Sequence, residues 1–182
     1  MTATTRLTPK ELISLGYSDQ RAPAPSEIIL MSDGGLMTAS IIHHVTVKRL
    51  IHNRALTAHE LVLSDLYSMI CEIPSTGFHS VFYQIFDRDR LDELVDELEA
   101  MNASEQASAL RESIDLYFHG RSDIRTIQQK IDEDFDDFSL SEDESQRLHD
   151  LGEVIYGERQ TPHWTEVCFP PFFRRNYEHF VL

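Results

Sequence analysis

The sequence has only two cysteines, Cys71 and Cys168, which lie nearly a hundred positions apart. Two isolated cysteines define neither a metal-ligand spacing nor a disulfide framework, so we interpret both as small buried hydrophobes in a reduced compartment. No uninterrupted apolar run reaches the roughly 18 residues that a membrane-spanning helix needs. The first ten residues lack the apolar core of a secretory signal. These absences predict a soluble cytoplasmic protein.

The short motifs that mark common active sites are also missing. We find no His-Glu-x-x-His or Glu-x-x-His pair for a metal, no Gly-rich phosphate loop and no Gly-x-Ser-x-Gly elbow. Four of the nine histidines, His43, His44, His52 and His59, lie close in sequence but share no metal-ligand spacing. The acidic run at 132–137 keeps a helical period, which is not typical of a calcium loop. We therefore expect no enzymatic activity, no metal and no cofactor.

Lys and Arg are scarce, and the excess of acidic over basic residues is confined to one part of the chain. The sequence has 16 Lys and Arg against 31 Asp and Glu, a net charge of −15. Between Asp87 and Glu158 we count 22 acidic and 7 basic residues, whereas the rest of the chain has nine of each. A field of this sign repels nucleic acid and anionic membranes and attracts basic partners.

Apolar residues within this acidic segment keep a helical period, which argues against a disordered tail. Leu91, Leu94, Val95 and Leu98 recur at i, i+3, i+4 and i+7. We predict helices at about 90–101, 104–119 and 121–137, and a capping box that begins at Ser141 opens another, to about Tyr156. The acids fall mostly on the helix faces that point away from the core. The simplest interpretation is a face that only contacts solvent, and the more specific alternative is a face that binds a partner. The candidate partner-binding residues are Asp89, Asp92, Glu93, Asp96, Glu97, Glu99, Asp132, Glu133, Asp134, Asp136, Asp137, Glu142, Asp143 and Glu144.

The remaining segments predict further helices separated by turns. Asp33-Gly34-Gly35 indicates a turn, and the apolar stretch 41–50 favours a helix. Thr57-Ala58-His59-Glu60 is a capping box that opens a helix, which Pro74-Ser75-Thr76-Gly77 breaks. Pro170-Pro171 is expected to interrupt the tail. The aromatic residues of that tail would dock on the protein's own core or, alternatively, contact a partner.

Taken together, these patterns predict an all-α fold. We expect a single-domain helical bundle of about seven to eight helices with irregular N- and C-terminal segments. Residues 1–56 would be an extension that packs on the core, residues 57–158 the acidic helical domain, and residues 159–182 an aromatic tail.

An aromatic motif precedes the acidic helices: Glu72-Ile73-Pro74-Ser75-Thr76-Gly77-Phe78-His79-Ser80-Val81-Phe82-Tyr83. This motif and the order of the helices after it, over about residues 60–157, resemble a bacterial family of DNA-mimic proteins of the DMP type. The turn of that family usually carries Asn-Asn-Gly-Gly, where this chain has Pro74-Ser75-Thr76-Gly77. The motif residues to which the resemblance gives a structural role are Gly77, Phe78, His79, Phe82 and Tyr83.

The resemblance implies an all-helical, often dimeric fold without catalysis, and some members occupy the DNA site of a transcription regulator with an acidic face. DNA carries one charge per about 1.7 Å of axis, and carboxylates at i and i+4 are roughly 6 Å apart along a helix, so acidic rows approximate phosphate rows at lower density. Our hypothesis is therefore a non-enzymatic protein that binds the basic DNA-binding surface of a partner, without itself binding nucleic acid or membrane. The alternatives are an immunity-type or general interaction module that neutralises a basic toxin or nuclease, and an uncharacterised hydrolase.

Overall fold

A computed structural model describes residues 22–82, 88–118, 140–157 and 160–180, apart from the side chains of His79 and Arg88. Within these ranges the chain forms seven α-helices and no strand, which confirms the all-α prediction. The helix expected at about 121–137 lies outside the described residues. None of the described helices is long and apolar enough to cross a bilayer. The helices are α1 Pro25–Ile28, α2 Gly34–Thr46, α3 Ala58–Ser80, α4 Arg88–Ala100, α5 Ser104–Phe118, α6 Glu142–Tyr156 and α7 Trp164–Arg175, with a π-helical turn at Val47–Ile51 and a 3₁₀ turn at Tyr177–His179.

The chain divides into two compact units. Unit 1 comprises residues 1–65 and 165–182, and unit 2 comprises residues 66–164. This grouping does not test the expected division into 1–56, 57–158 and 159–182, which stays a prediction.

In unit 1, helix α2 begins at Gly34, where the sequence predicts a turn over Asp33-Gly34-Gly35. The carboxylate of Asp33 accepts a hydrogen bond from the backbone N–H of Leu36 at 2.7 Å, so Asp33 is the N-cap and both glycines are the first helical residues. The apolar stretch 41–50 is helical, as predicted, and it ends in the π-helical turn.

Helix α7 continues through Pro170 and Pro171, so the predicted interruption of the tail at these prolines is wrong. Proline lacks a backbone N–H, so Pro170 cannot donate to the carbonyl of Glu166 four residues earlier. That carbonyl oxygen instead faces Gly34, where an added Cβ would stand only 2.6 Å from it. Phe169, Phe172, Phe173 and Phe180 are buried, which agrees with docking of the aromatic tail on the chain itself.

In unit 2, helix α5 packs against both α4 and α6. Leu91, Leu94 and Leu98 of α4 are fully buried, as their spacing predicts, and Leu110 of α5 is fully buried as well. Burying each leucine side chain contributes about 2 kcal/mol, so this apolar face can support a helix whose other face is crowded with like charges. Gly77 has φ 68°, a left-handed conformation that glycine tolerates, and it breaks the helical path near the end of α3 where the sequence predicts a break.

Candidate acidic binding face

Helix α4 has its acids on one side and its buried residues on the other. It contains six acidic residues and two arginines. At 3.6 residues per turn, the six acids span an arc of about 160° centred opposite the buried leucines. Asp89, Asp92, Glu93, Asp96 and Glu99 are exposed, and Glu97 is partly exposed. The helix therefore presents a nearly continuous anionic face to solvent.

Two ion pairs connect α5 to its neighbours. Arg111 donates from Nη2 to Oε1 of Glu99 on α4 at 2.8 Å. The next residue, Glu112, accepts two hydrogen bonds from Arg147 on α6, at 2.7 Å from Nε and 2.8 Å from Nη2. Arg111 and Glu112 are adjacent on α5 but contact different neighbours, since Arg111 pairs with α4 and Glu112 pairs with α6. These charge pairs connect the exposed faces of all three helices.

These pairs shift the titration of the groups involved. The hydrogen bond from Arg147 lowers the pKa of the Glu112 carboxyl below its ordinary value. The hydrogen bond to Glu99 raises the pKa of Arg111, and the hydrogen bond to Glu112 raises the pKa of Arg147. All four side chains are about half exposed, so solvent screens the pairs and each adds little to stability. Their main effect is to fix where the surrounding carboxylates lie.

Arg90 is also paired within the acidic face. Its Nη1 donates to Oε2 of Glu93 at 2.8 Å, one turn along α4. Arg90, Arg111 and Arg147 are thus each bound to an acid of the same three helices. These three arginines are directed at acids of the same surface, which leaves the face anionic in character.

The acids at the start of α6 have a local structural role as well. Ser141 is the N-cap, and the carboxylate of Glu144 accepts from its backbone N–H at 2.8 Å and from its hydroxyl at 2.7 Å. Glu142 and Asp143 occupy the first turn, where the helix dipole favours negative charge. Glu144 is therefore a capping residue, while Glu142 and Asp143 are exposed.

The structure describes part of the predicted acidic set. It brings Asp89, Asp92, Glu93, Asp96, Glu97 and Glu99 onto the one face of α4, and it places Glu142, Asp143 and Glu144 at the start of α6. The other five predicted acids lie outside the described residues: Asp132, Glu133, Asp134, Asp136 and Asp137. Whether these five share a face with the acids of α4 is therefore still a prediction.

Two phenylalanines of the aromatic motif pack inside unit 2. Phe78 and Phe82 are buried with ring centroids 5.0 Å apart, and Phe82 meets Tyr117 edge-on at 5.1 Å. Phe118 completes the cluster at 5.5 Å from Phe82. Phe78 and Phe82 thus belong to the core of unit 2. Tyr83 and the side chain of His79 lie outside the described part of the chain.

Sequence reasoning missed Arg111, Glu112 and Arg147 as parts of this face. Arg147 and Glu112 are 35 positions apart, so no local pattern indicates their contact. One signal was present: Arg111 and Glu112 are adjacent and both point outward on an otherwise regular amphipathic helix. Within the described ranges, no group of three or more His, Cys, Asp or Glu side chains is placed to hold a metal ion.

The fold and this face define an all-α protein whose central helices expose an acidic surface. The family model described as DMP19-like protein matches residues 54–163, and the chain belongs to that family. The match spans α3 to α6 and contains the whole segment, residues 60–157, over which the sequence resembles a DNA-mimic family. No curated protein and no solved structure matches the chain.

Proposed function

We propose that the protein is a DNA mimic whose acidic faces on α4, α5 and α6 bind the basic DNA-binding surface of a partner such as a transcription regulator. The observation that carries the proposal is the arc of six acids on α4, opposite a core of fully buried leucines. Membership in the DMP19-like family supports it. The proposal involves no catalytic step and no direct contact with nucleic acid.

The spacing of the acids suits a surface that receives phosphates. Asp89, Glu93 and Glu97 follow each other at i, i+4 and i+8, so their axial separation is roughly 6 Å per step. A DNA-binding protein presents Lys and Arg to the phosphate rows of a duplex. Such a surface would meet the row on α4 with complementary potential, and association would be fast and weakened by salt.

The crowding of acids has a cost that a purely structural helix would avoid. Like charges at i and i+4 destabilise a helix by a few tenths of a kcal/mol per pair, and α4 contains the pairs Asp89–Glu93, Asp92–Asp96 and Glu93–Glu97. Glu93 is paired with Arg90, and Glu99 is paired with Arg111. Retention of the like-charged pairs along the helix fits a surface that is completed by a basic partner.

The first test is capture of the partner with the full chain as bait. We expect one basic protein to be retained at low salt and released at high salt, and the captured protein to bind duplex DNA. DNA and the acidic chain should then compete for it. A captured protein that binds the chain equally well with saturating DNA present would contradict mimicry. A captured toxin would favour the immunity-type alternative instead.

The second test uses variants that change the net charge equally at different places. Asp96→Lys reverses a charge at the centre of the α4 face, and Glu178→Lys reverses a highly exposed charge in unit 1. We expect Asp96→Lys to weaken the complex by about tenfold or more, the scale of a close interfacial charge pair, and Glu178→Lys to leave it nearly unchanged. Equal effects of the two variants would show that only the net charge matters and would overturn the assignment of the face.

A further inference from the structure

Unit 1 contains a cavity of about 300 Å³ beside the end of α2. Its lining includes His44, Val47, His52, Arg54 and Phe180, together with Pro23 from the segment before α1. This volume lies at the lower end of the range for small-molecule sites, and the mixture of apolar wall and a few polar groups is typical of them. None of these residues belongs to the acidic face.

The segment that forms one wall of the cavity has the opposite charge to the rest of the protein. Residues 43–54 contain three histidines and three Lys or Arg and no acid, in a chain whose net charge is −15. Lys48 is not free for a ligand, because its ammonium donates to both oxygens of the buried Glu60 at 2.8 Å. Arg54 and His52 are exposed and line the cavity, so Arg54 supplies its available positive charge and both side chains supply N–H donors.

The backbone turn beyond the π-helical turn places these two side chains. Asn53 has φ 50°, a left-handed conformation that asparagine adopts at helix ends. The amide of Arg54 donates to the carbonyl of Lys48 at 3.1 Å, and the amide of His52 donates to the carbonyl of Val47 at 3.0 Å. Two carbonyls at the negative end of the helix are thereby covered, which lowers their repulsion of an anion.

The ring of His44 lies in the lining, but its Nε2 atom is buried and does not face the open space of the cavity. One ring nitrogen donates to the backbone carbonyl of Pro23, and the other, Nε2, is buried without a hydrogen-bond partner among the described residues. Burial lowers the pKa of His44, so the ring is neutral near pH 7 and Nε2 carries a lone pair. His44 therefore contributes a neutral ring to the wall of the cavity and adds no charge to it.

We propose that this cavity binds a small organic oxyanion. Arg54 and His52 bind the anionic group, since a guanidinium matches both carboxylate and phosphate. Phe180 and Val47 contact the carbon skeleton, because both are buried apolar residues of the lining.

The test is a titration of the full ¹⁵N-labelled chain, followed by the amide resonances of Val47, His52 and Arg54. The probes are glycerol 3-phosphate for a phosphate ester, lactate for a carboxylate, inorganic phosphate, and glycerol. We expect one of the two organic anions to shift these amide resonances in a saturable way and to shift no others. Inorganic phosphate should bind more weakly, and glycerol should not bind. Failure of both organic anions to saturate would overturn the proposal.

A matched pair of variants separates the cavity from general charge attraction. Arg54 and Arg49 are both exposed arginines of the same segment, but Arg49 is hydrogen-bonded to Ser64 at 3.0 Å and does not line the cavity. Arg54→Gln should weaken binding by about tenfold or more, as loss of a charge-assisted hydrogen bond would, and Arg49→Gln should not. Equal weakening by both variants would contradict a built site. Thermal unfolding of each variant checks that its fold is retained.

Discussion

The ammonium of Lys48 donates to both carboxylate oxygens of Glu60, each at 2.8 Å, and Glu60 is completely buried. The same carboxylate accepts a hydrogen bond from the backbone N–H of Thr57, while Thr57 caps the backbone of Glu60 in return. Glu60 of the capping box that opens α3 therefore also forms an ion pair with Lys48 of the preceding π-helical turn. One side chain joins two elements of unit 1.

Glu60→Gln is expected to destabilise the protein strongly. It leaves the ammonium of Lys48, which is only 12% exposed, without its counter-charge. Breaking a buried pair by removal of one partner costs about 3 kcal/mol or more. Urea unfolding of the variant and the parent chain measures the difference. The double variant Glu60→Gln, Lys48→Met should be more stable than Glu60→Gln alone, because the uncompensated charge is gone. A double variant that is less stable than either single variant would contradict this.

Gly34→Ala and Gly35→Ala should differ although the residues are neighbours in the first turn of α2. A Cβ at Gly34 would stand 2.6 Å from the backbone oxygen of Glu166, which cannot move without displacing α7. A Cβ at Gly35 would meet only the flexible carboxylate end of the same residue, at 3.3 Å or more. We expect Gly34→Ala to cost about 1–3 kcal/mol through overpacking. Gly35→Ala should be close to neutral, since alanine favours the helix.

Thermal unfolding of the two glycine variants measured side by side decides the point. Equal stability of Gly34→Ala and Gly35→Ala would show that the close approach of Glu166 to α2 is not a constraint. If Gly34→Ala is less stable, then the missing N–H of Pro170 has a structural use, because it leaves the Glu166 carbonyl directed at α2.

The parts of this fold that depend on neighbouring residues could be predicted from the sequence. The leucine spacing of α4, the capping boxes at Thr57 and Ser141, and the break at Gly77 all appear as expected. Each of these features is decided within one or two helical turns. The acidic face of α4 follows from the same periodicity, because fixing the buried face also fixes the exposed one.

Contacts between distant residues could not be predicted in this way. Thr38 donates to the carbonyl of Thr165, 127 positions away, at 3.2 Å, and this contact helps to explain why a proline-containing tail is helical. The glycines at the start of α2 indicate a turn when considered alone, but they permit the close approach of α7. The pairing of Arg147 with Glu112 likewise depends on how α5 and α6 pack against each other. No local pattern in the sequence indicates that packing.

Protonation of His44 should weaken the fold as the pH falls. Burial lowers the pKa of this histidine below its ordinary value of 6.5, so the unfolded chain binds the proton more readily than the folded one. Stability then rises with pH wherever the unfolded state holds more protons. We expect its contribution to be constant above about pH 6.5 and to decline below that value. His44→Gln should flatten this part of the stability profile measured by urea unfolding. An unchanged slope between about pH 5 and 6.5 would contradict the assignment to His44.

Arg147→Gln should change the titration of Glu112 without unfolding the acidic surface. The hydrogen bonds from Arg147 are the largest cause of the lowered pKa of Glu112, so their loss should raise that pKa toward 4.5. The pair therefore contributes to the stability of the fold above the pKa that Glu112 has in the unfolded chain. This contribution is lost as the pH falls through the pKa of Glu112 in the folded chain. Carboxyl-detected NMR titration of both proteins measures the shift. Arg90→Gln is the control, since Arg90 pairs with Glu93 on α4 and should leave Glu112 unaffected. If Arg147→Gln also leaves the Glu112 pKa unchanged, the charge pair that joins α5 to α6 does not persist in solution.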